Sequence, residues 1–168
     1  MPMRNYAVFT VHADAGELAD LRQGVRDLIG GDDGEFNSDL LLAIHELVAN
    51  AIVHGCHTCS VLVHVAVDGD KVTATVADGG RGFDIGALLR TWPPAPTEER
   101  GRGIYMVTRL MDSVSIESGS GTVIHMSRDL HRAGDRTQPI CIWSSPTHAR
   151  FSHPWLFRQS DKGLRRAS

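Results

Sequence analysis

The chain has 168 residues, of which 42% are hydrophobic and 22% are charged, as in an ordinary soluble globular domain with a sizeable core. Its three cysteines, an odd number, argue against a disulfide framework. The net charge of −3 is unevenly spread, because residues 1–126 hold 9 Lys and Arg against 17 Asp and Glu, whereas residues 127–168 hold 8 against 3. The sequence therefore predicts an acidic body followed by a basic tail.

Targeting and membrane segments are not indicated by the sequence. Residues 1–6 show no basic start followed by an apolar run, so no signal peptide is predicted. The most apolar window, residues 40–53, is interrupted by His45, Glu46 and Asn50 and is too short and too polar to span a bilayer. We therefore expect a cytoplasmic protein without a membrane partner.

Hydrophobic periodicity and turn residues divide the body into helices and strands. Period-two alternation of valines marks a hairpin around an Asp-Gly turn, and a run with three prolines excludes regular structure and predicts a mobile loop. In chain order, the predicted elements are a strand at 6–11, a helix from 14 to 29, a helix at 38–54, strands at 60–67 and 72–77, a short helix at 85–90, a loop at 91–97, a helix from 104, and strands at 113–117 and 121–128.

The second predicted helix carries an unusual polar stripe. Glu46, Asn50 and His54 fall at i, i+4 and i+8, so they share one face of a helix whose other face is apolar. Polar groups are costly to bury without partners. Taken alone, this pattern is more typical of a solvated helix face than of a site.

Two glycine-rich stretches follow the stripe. Asp78 ends a predicted strand and is followed by three glycines in five residues, which indicates backbone at positive φ or in close approach to another group. Gly101-Arg102-Gly103 precedes a predicted helix, a generic signal for anion binding by backbone N–H groups and the helix dipole. It is neither a Walker A loop nor a dinucleotide fingerprint, so alone it is weak.

A zinc site is a competing interpretation of one stretch. Cys56 and Cys59 form a C-x-x-C with His54 and His57 close by. A structural zinc site needs four well-placed ligands, and the sequence offers no second pair at ligand spacing. A turn cysteine and a small apolar strand cysteine are the favoured interpretation.

Taken in order, the motifs resemble the N box, the two glycine boxes and the closing Gly-Thr of the Bergerat-fold ATPases, the superfamily of sensor histidine kinases, Hsp90, gyrase B and MutL. The resemblance covers residues 5–128. It implies a two-layer α/β sandwich with a mixed, mostly antiparallel sheet and helices on one face. The corresponding domains are an ATP-binding kinase domain at 1–128 and an irregular, basic, proline- and aromatic-containing tail at 129–168.

Within that superfamily, the chain is most similar to the small anti-sigma-factor serine kinases of the SpoIIAB and RsbW type. The similarity rests on the small size, on Glu-Leu-Val-x-Asn-Ala-x-x-His at 46–54 and on Gly-x-Gly-Phe-Asp at 80–84. It implies that ATP and Mg²⁺ are bound. The residues that it assigns to the nucleotide and metal are Asp78 for the adenine amino group, Gly80 and Gly82 for close approach to the base, Thr122 for the adenine end, Asn50 for Mg²⁺, and Gly101, Arg102 and Gly103 for the phosphates.

The resemblance also implies a catalytic pair. Glu46 would be the general base that takes the proton from an attacking serine hydroxyl. Arg100 would neutralise charge on the γ-phosphate, with Arg102 as the alternative because the glycine box is shorter by about a residue than in some relatives. His54 is expected to order the turn after the helix.

The function implied is an anti-sigma factor that also phosphorylates a STAS-type anti-anti-sigma protein, with a homodimer as the expected assembly. The alternative is a non-catalytic ATP-binding module that sequesters a regulatory partner. Direct nucleic-acid binding is not expected, because 8 basic residues over 42 is a diffuse pattern. For the tail, disorder without a role is favoured over an arm that docks on the acidic body or on a partner.

Overall fold

The computed structural model describes residues 5–12, 14–30, 35–55, 60–95, 102–130 and 141–142. In these ranges the chain forms one sheet and four α-helices. The elements are β1 (Asn5–Val11), α1 (Ala15–Ile29), α2 (Glu35–Asn50), a π-helical turn (Ala51–Gly55), β2 (Val61–Asp68), β3 (Lys71–Asp78), α3 (Ile85–Arg90), α4 (Arg102–Leu110), β4 (Ser113–Gly119), β5 (Gly121–Asp129) and β6 (Cys141–Ile142).

The sheet has the strand order β1-β2-β3-β5-β4-β6. Neighbours from β1 to β4 pair antiparallel, and the two-residue β6 pairs with β4 in parallel. The sheet is therefore mixed and mostly antiparallel, as predicted. Strand β6 lies in the segment for which the sequence indicated no regular structure.

The helices lie on one face of the sheet, where alternate strand residues are buried against them. Val61, Val63 and Val65 of β2 are at most 1% exposed and share the core with Ile44 and Val48 of α2. On the opposite face, Tyr6 is 44% exposed and stacks on His64 with ring centroids 5.9 Å apart. The packing of the described helices on one face of the sheet confirms the predicted two-layer α/β sandwich.

Capping groups set several helix bounds. The Asp14 carboxylate accepts hydrogen bonds from the N–H groups of Gly16 and Glu17, which opens α1 where the sequence predicted it. Asp84 caps α3 in the same way, through the N–H of Ala87. No helix in the described ranges has the length and apolarity needed to cross a membrane.

A buried ion pair fixes α2 to the sheet. Arg128 of β5 is 4% exposed, and its guanidinium donates to the Asp39 carboxylate at 2.9 Å. The pair lies near the start of α2, the helix whose last turns carry Glu46 and Asn50. Because an unpaired charge at such a position is costly, the contact holds α2 in one orientation on the sheet.

Candidate functional site

The polar stripe lies on the last two turns of α2. Glu46 and Asn50 are both partly buried, while Leu47 and Val48 between them are buried in the core. The predicted helix over 38–54 is wrong at its end, since α2 stops at Asn50 and a π-helical turn follows. The wider π turn breaks the i+4 spacing, and His54 is exposed, so the stripe consists of Glu46 and Asn50 only.

Gly103 brings the start of α4 directly against this stripe. A Cβ atom placed on Gly103 would lie 2.9 Å from Asn50 Nδ2 and 3.0 Å from Glu46 Oε2. Both distances are shorter than ordinary van der Waals contact, so any larger residue here would displace one or both of these side chains. The second glycine motif and the polar stripe, 53 residues apart at Asn50 and Gly103, therefore form one site.

The start of α4 favours an anion. The helix begins at Arg102, two residues before the predicted start, and its first-turn N–H groups have no partners within the helix. That turn, residues 102–105, contains no acidic residue to offset the positive end of the helix dipole. Arg102 is exposed at its first position. A phosphate placed beside Gly103 would meet these N–H groups on one side and Asn50 on the other.

A second group of predicted residues meets where β3 ends. Asp78 pairs in register with Thr122 of β5, and the buried Thr122 hydroxyl donates to the Asp78 carboxylate. The same carboxylate accepts the N–H of Gly80 at 2.8 Å. Burial raises the pKa of Asp78, and these two hydrogen bonds oppose that rise. Asp78 is thus a partly buried acceptor held in a fixed orientation.

The loop after Asp78 rests on the β4–β5 hairpin. Gly82 has φ of +68°, which favours glycine, and a Cβ there would lie 2.5 Å from the carbonyl oxygen of Gly119. Next to it, the Ser118 hydroxyl accepts the Phe83 N–H at 2.7 Å and donates to the Phe83 carbonyl at 3.0 Å. The close backbone approach predicted for the first glycine motif is confirmed at Gly82.

The two groups of site residues are joined through the secondary structure. Helix α2 packs against α4 and contacts β3, and the π-helical turn after Asn50 contacts both β3 and β5. These are the strands that carry Asp78 and Thr122. The structure therefore brings the predicted residues together in two groups that lie on connected elements. One group contains Glu46, Asn50 and Gly103, and the other contains Asp78, Gly80, Gly82 and Thr122.

Some predicted residues lie outside the described ranges. These are Arg100 and Gly101 of the second glycine motif and the candidate zinc ligands Cys56, His57 and Cys59. The choice between Arg100 and Arg102 at the γ-phosphate stays a prediction.

Two contacts near the site were not predicted from the sequence. Ser118 and Gly119 were assigned only to a hairpin connection, and no periodicity links them to Gly82 and Phe83, 35 or more residues earlier. Trp92, in the proline-rich loop, lies edge-on to Tyr105 of α4 with ring centroids 5.3 Å apart. This aromatic contact fastens the start of that loop to the helix that carries Gly103.

Comparison with known proteins agrees with this arrangement. A family model described as the histidine kinase-like ATPase domain matches residues 11–128. The matched range contains every site residue named above, from Glu46 to Thr122.

Curated relatives extend the comparison. The chain is 32% identical over 105 residues to serine-protein kinase RsbW of Bacillus licheniformis, which covers 56% of this chain and 65% of the relative. It is 34% identical over 102 residues to the anti-sigma F factor of Pasteuria penetrans, covering 55% and 68%. It is 30% identical over 98 residues to the anti-sigma F factor of Thermoanaerobacter pseudethanolicus, covering 54% and 68%. The matched region thus spans about two thirds of each relative's length.

Proposed function

Because the chain belongs to the histidine kinase-like ATPase family, we propose that it binds ATP with Mg²⁺ and phosphorylates a serine of a STAS-type anti-anti-sigma protein. In this proposal it also sequesters a sigma factor in one nucleotide state. The relatives named as serine-protein kinase RsbW and anti-sigma F factor support this choice of reaction and partners. The homodimer expected from the resemblance and the cytoplasmic location expected from the sequence stay predictions.

The observation that carries the proposal is the approach of Gly103 to Glu46 and Asn50. It brings the N-terminus of a helix directly against a carboxylate and a carboxamide, with no side chain of Gly103 between them. That combination suits a phosphate chain with a hard cation, because N–H groups bind phosphate and oxygen donors suit Mg²⁺. A site for an uncharged ligand would not need this positive helix end beside oxygen donors.

Each residue then has a distinct part in the proposed reaction. Asn50 holds Mg²⁺ through its side-chain oxygen, and Mg²⁺, when bound, neutralises charge on the phosphates. Gly103 and the first N–H groups of α4 bind the phosphates. Glu46, one turn before Asn50, accepts the proton from the serine hydroxyl of the protein substrate. The arginine before or at the start of α4 offsets the charge on the γ-phosphate.

The other group of residues selects the base. Asp78 accepts a hydrogen bond from the adenine amino group, which guanine does not offer at that position. The Thr122 hydroxyl and the Gly80 N–H hold the Asp78 carboxylate in place for that contact. Since hydrogen bonds to charged groups are worth about 1.5–3 kcal/mol, Asp78 alone accounts for about a tenfold or larger preference for adenine.

The test uses Glu46→Gln and a matched control, Glu117→Gln. Glu117 is also partly buried, but it lies on β4 beside His125, on the sheet face opposite the four described helices. Each protein is incubated with labelled ATP, Mg²⁺ and the STAS partner, and ATP affinity is measured separately. Glu46→Gln should keep ATP affinity and lower partner labelling by about 10²-fold or more, whereas Glu117→Gln should label normally.

Two results separate this function from the alternative of a non-catalytic ATP-binding module. Wild-type protein that binds ATP but never labels the partner would exclude the kinase. Cellular function that survives Glu46→Gln, although this variant no longer labels the partner, would support the module. If Glu46→Gln lost ATP affinity together with partner labelling and sigma-factor binding, both activities would be shown to depend on the nucleotide site.

A further inference from the structure

Ser118 holds one residue of the first glycine loop by both of its backbone groups. The Ser118 hydroxyl accepts the Phe83 N–H at 2.7 Å and donates to the Phe83 carbonyl at 3.0 Å. Strand β3 ends at Asp78, so the loop over 79–84 has no strand ladder to satisfy its backbone. A single side chain from another strand performs that task at Phe83.

The loop also touches the hairpin directly at Gly82. A Cβ on Gly82 would lie 2.7 Å from Ser118 Oγ as well as 2.5 Å from the Gly119 carbonyl oxygen. Gly82 is at φ of +68°, and atoms of Ser118 and Gly119 occupy the space where its Cβ would lie. The loop is therefore packed closely against β4 at this position. The Ser118 hydroxyl lies at the centre of that contact.

The strand register places Ser118 in line with the adenine-end residues. Asp78 of β3 pairs with Thr122 of β5, and Thr122 pairs with Ser118 of β4. The loop leaves the sheet at Asp78 and is held again at Ser118, two strands away. Its two ends are therefore attached to β3 and β4, the strands that flank β5 and its Thr122.

We propose that Ser118 is a positioning residue for adenine recognition, acting through the Phe83 backbone rather than by touching the nucleotide. Its hydroxyl fixes the position of the loop relative to Asp78 and Thr122 and so the width of the space that the base enters. The inference rests on the proposed ATP site. It adds a residue outside the glycine motifs to the determinants of nucleotide affinity.

The experiment compares Ser118→Ala with Ser113→Ala. Ser113 is the matched control because it begins the same strand and its hydroxyl hydrogen-bonds that of Ser127 at 2.7 Å, at the opposite end of the hairpin. ATP and ADP affinities are measured by calorimetry, and the hydrogen exchange of the Phe83 amide is measured by NMR. The STAS-partner phosphorylation rate is measured as a function of ATP concentration.

Ser118→Ala should bind ATP and ADP about tenfold more weakly, by the same factor for both, since its two hydrogen bonds support the base and not the γ-phosphate. The KM for ATP should rise while kcat at saturation is unchanged, and the Phe83 amide should exchange faster. Ser113→Ala should bind nucleotide like wild type even where its melting temperature falls equally.

Unchanged affinity in Ser118→Ala would overturn the inference, as would an equal loss in Ser113→Ala. A tenfold loss confined to kcat would also overturn it, because a role at the base end predicts a change in KM. If the wild-type chain itself bound no ATP, the proposed function would fail first, and that result is distinguishable from a wild type that binds while Ser118→Ala binds equally.

Discussion

Replacing Gly103 by alanine tests the contact that brings the two motifs together. The new Cβ would lie 2.9 Å from Asn50 Nδ2 and 3.0 Å from Glu46 Oε2, and ordinary contacts begin at 3.4 Å. One or both polar side chains must therefore move by about 0.5 Å or change rotamer to relieve the overlap. Their positions are what the proposed site depends on.

The magnitudes separate stability from activity. Overpacking costs about 1–3 kcal/mol, and alanine is favoured over glycine in a helix by about 1 kcal/mol, so Gly103→Ala should lower the free energy of unfolding by at most about 2 kcal/mol. A misplacement of about 1 Å can cost about 10²-fold in rate. A shift of half that size should lower partner phosphorylation by about tenfold or more.

The assay pairs Gly103→Ala with Gly24→Ala. A Cβ on Gly24 would lie 2.5 Å from the ring of buried Phe9, a similar overlap far from the site. Urea denaturation, Mg²⁺-ATP affinity and partner phosphorylation are measured on each, under conditions where both are folded. Gly24→Ala should lose stability and keep its activity. The reasoning is refuted if Gly103→Ala phosphorylates like wild type, or if both variants lose activity in proportion to stability.

Three further outcomes are expected. Burial raises the pKa of Asp78, so the stabilising contribution of its protonated form is present below the unfolded-state value of 3.8 and is lost as pH rises through the folded pKa. In denaturation curves, Asp78→Asn should therefore gain stability over wild type towards neutral pH, while its ATP affinity falls about tenfold. A stability difference that does not change with pH would contradict this. Arg128→Leu removes the guanidinium that lies 2.9 Å from the Asp39 carboxylate and should lower the free energy of unfolding by about 3 kcal/mol. Adding Asp39→Asn to that variant should partly restore the stability, whereas a loss below about 1 kcal/mol in Arg128→Leu would argue against a structural ion pair. Gly82→Ala should weaken ATP binding in titrations, whereas Gly119→Ala, whose Cβ meets nothing within 4 Å, should not, and equal effects would exclude close approach as the cause.

Local sequence patterns were sufficient for most elements. The strands of the β2–β3 hairpin were predicted to within one residue of their bounds because alternation of buried valines and an Asp-Gly turn specify both register and end. Helix α3 begins and ends as predicted, and its N-terminus is capped by Asp84, the residue directly before it. In each case the signal lies within a few residues of the boundary it sets.

Errors occurred where tertiary contacts decide the structure. The apolar pattern runs through residue 54 and does not distinguish α-helical from π-helical turns, so the end of α2 at Asn50 was missed. Gly103 has low helix propensity and was placed in a loop, but its contact with α2 holds it within α4.

The site divides in the same way. The order of motifs predicted which residues belong together, and their meeting at Gly103 and at the Asp78–Thr122 pair follows it. The hydrogen bonds of Ser118 to Phe83 join residues 35 positions apart and depend on how a loop folds over neighbouring strands. No periodicity within either segment encodes such a contact.

The pairing of β3 with β5 makes nucleotide binding and folding parts of one equilibrium. Asp78 and Thr122 are separated by more than forty residues and face each other only once the eight-residue ladder between Lys71 and Asp78 has formed. The unfolded chain therefore has no adenine site, and under the proposed function ATP binds only the native state. At a free concentration of a hundred times Kd, that selectivity adds about 2.7 kcal/mol to the stability. The melting temperature of this protein should then rise and fall with the supply of ATP, so that depletion of the nucleotide also reduces the folded population.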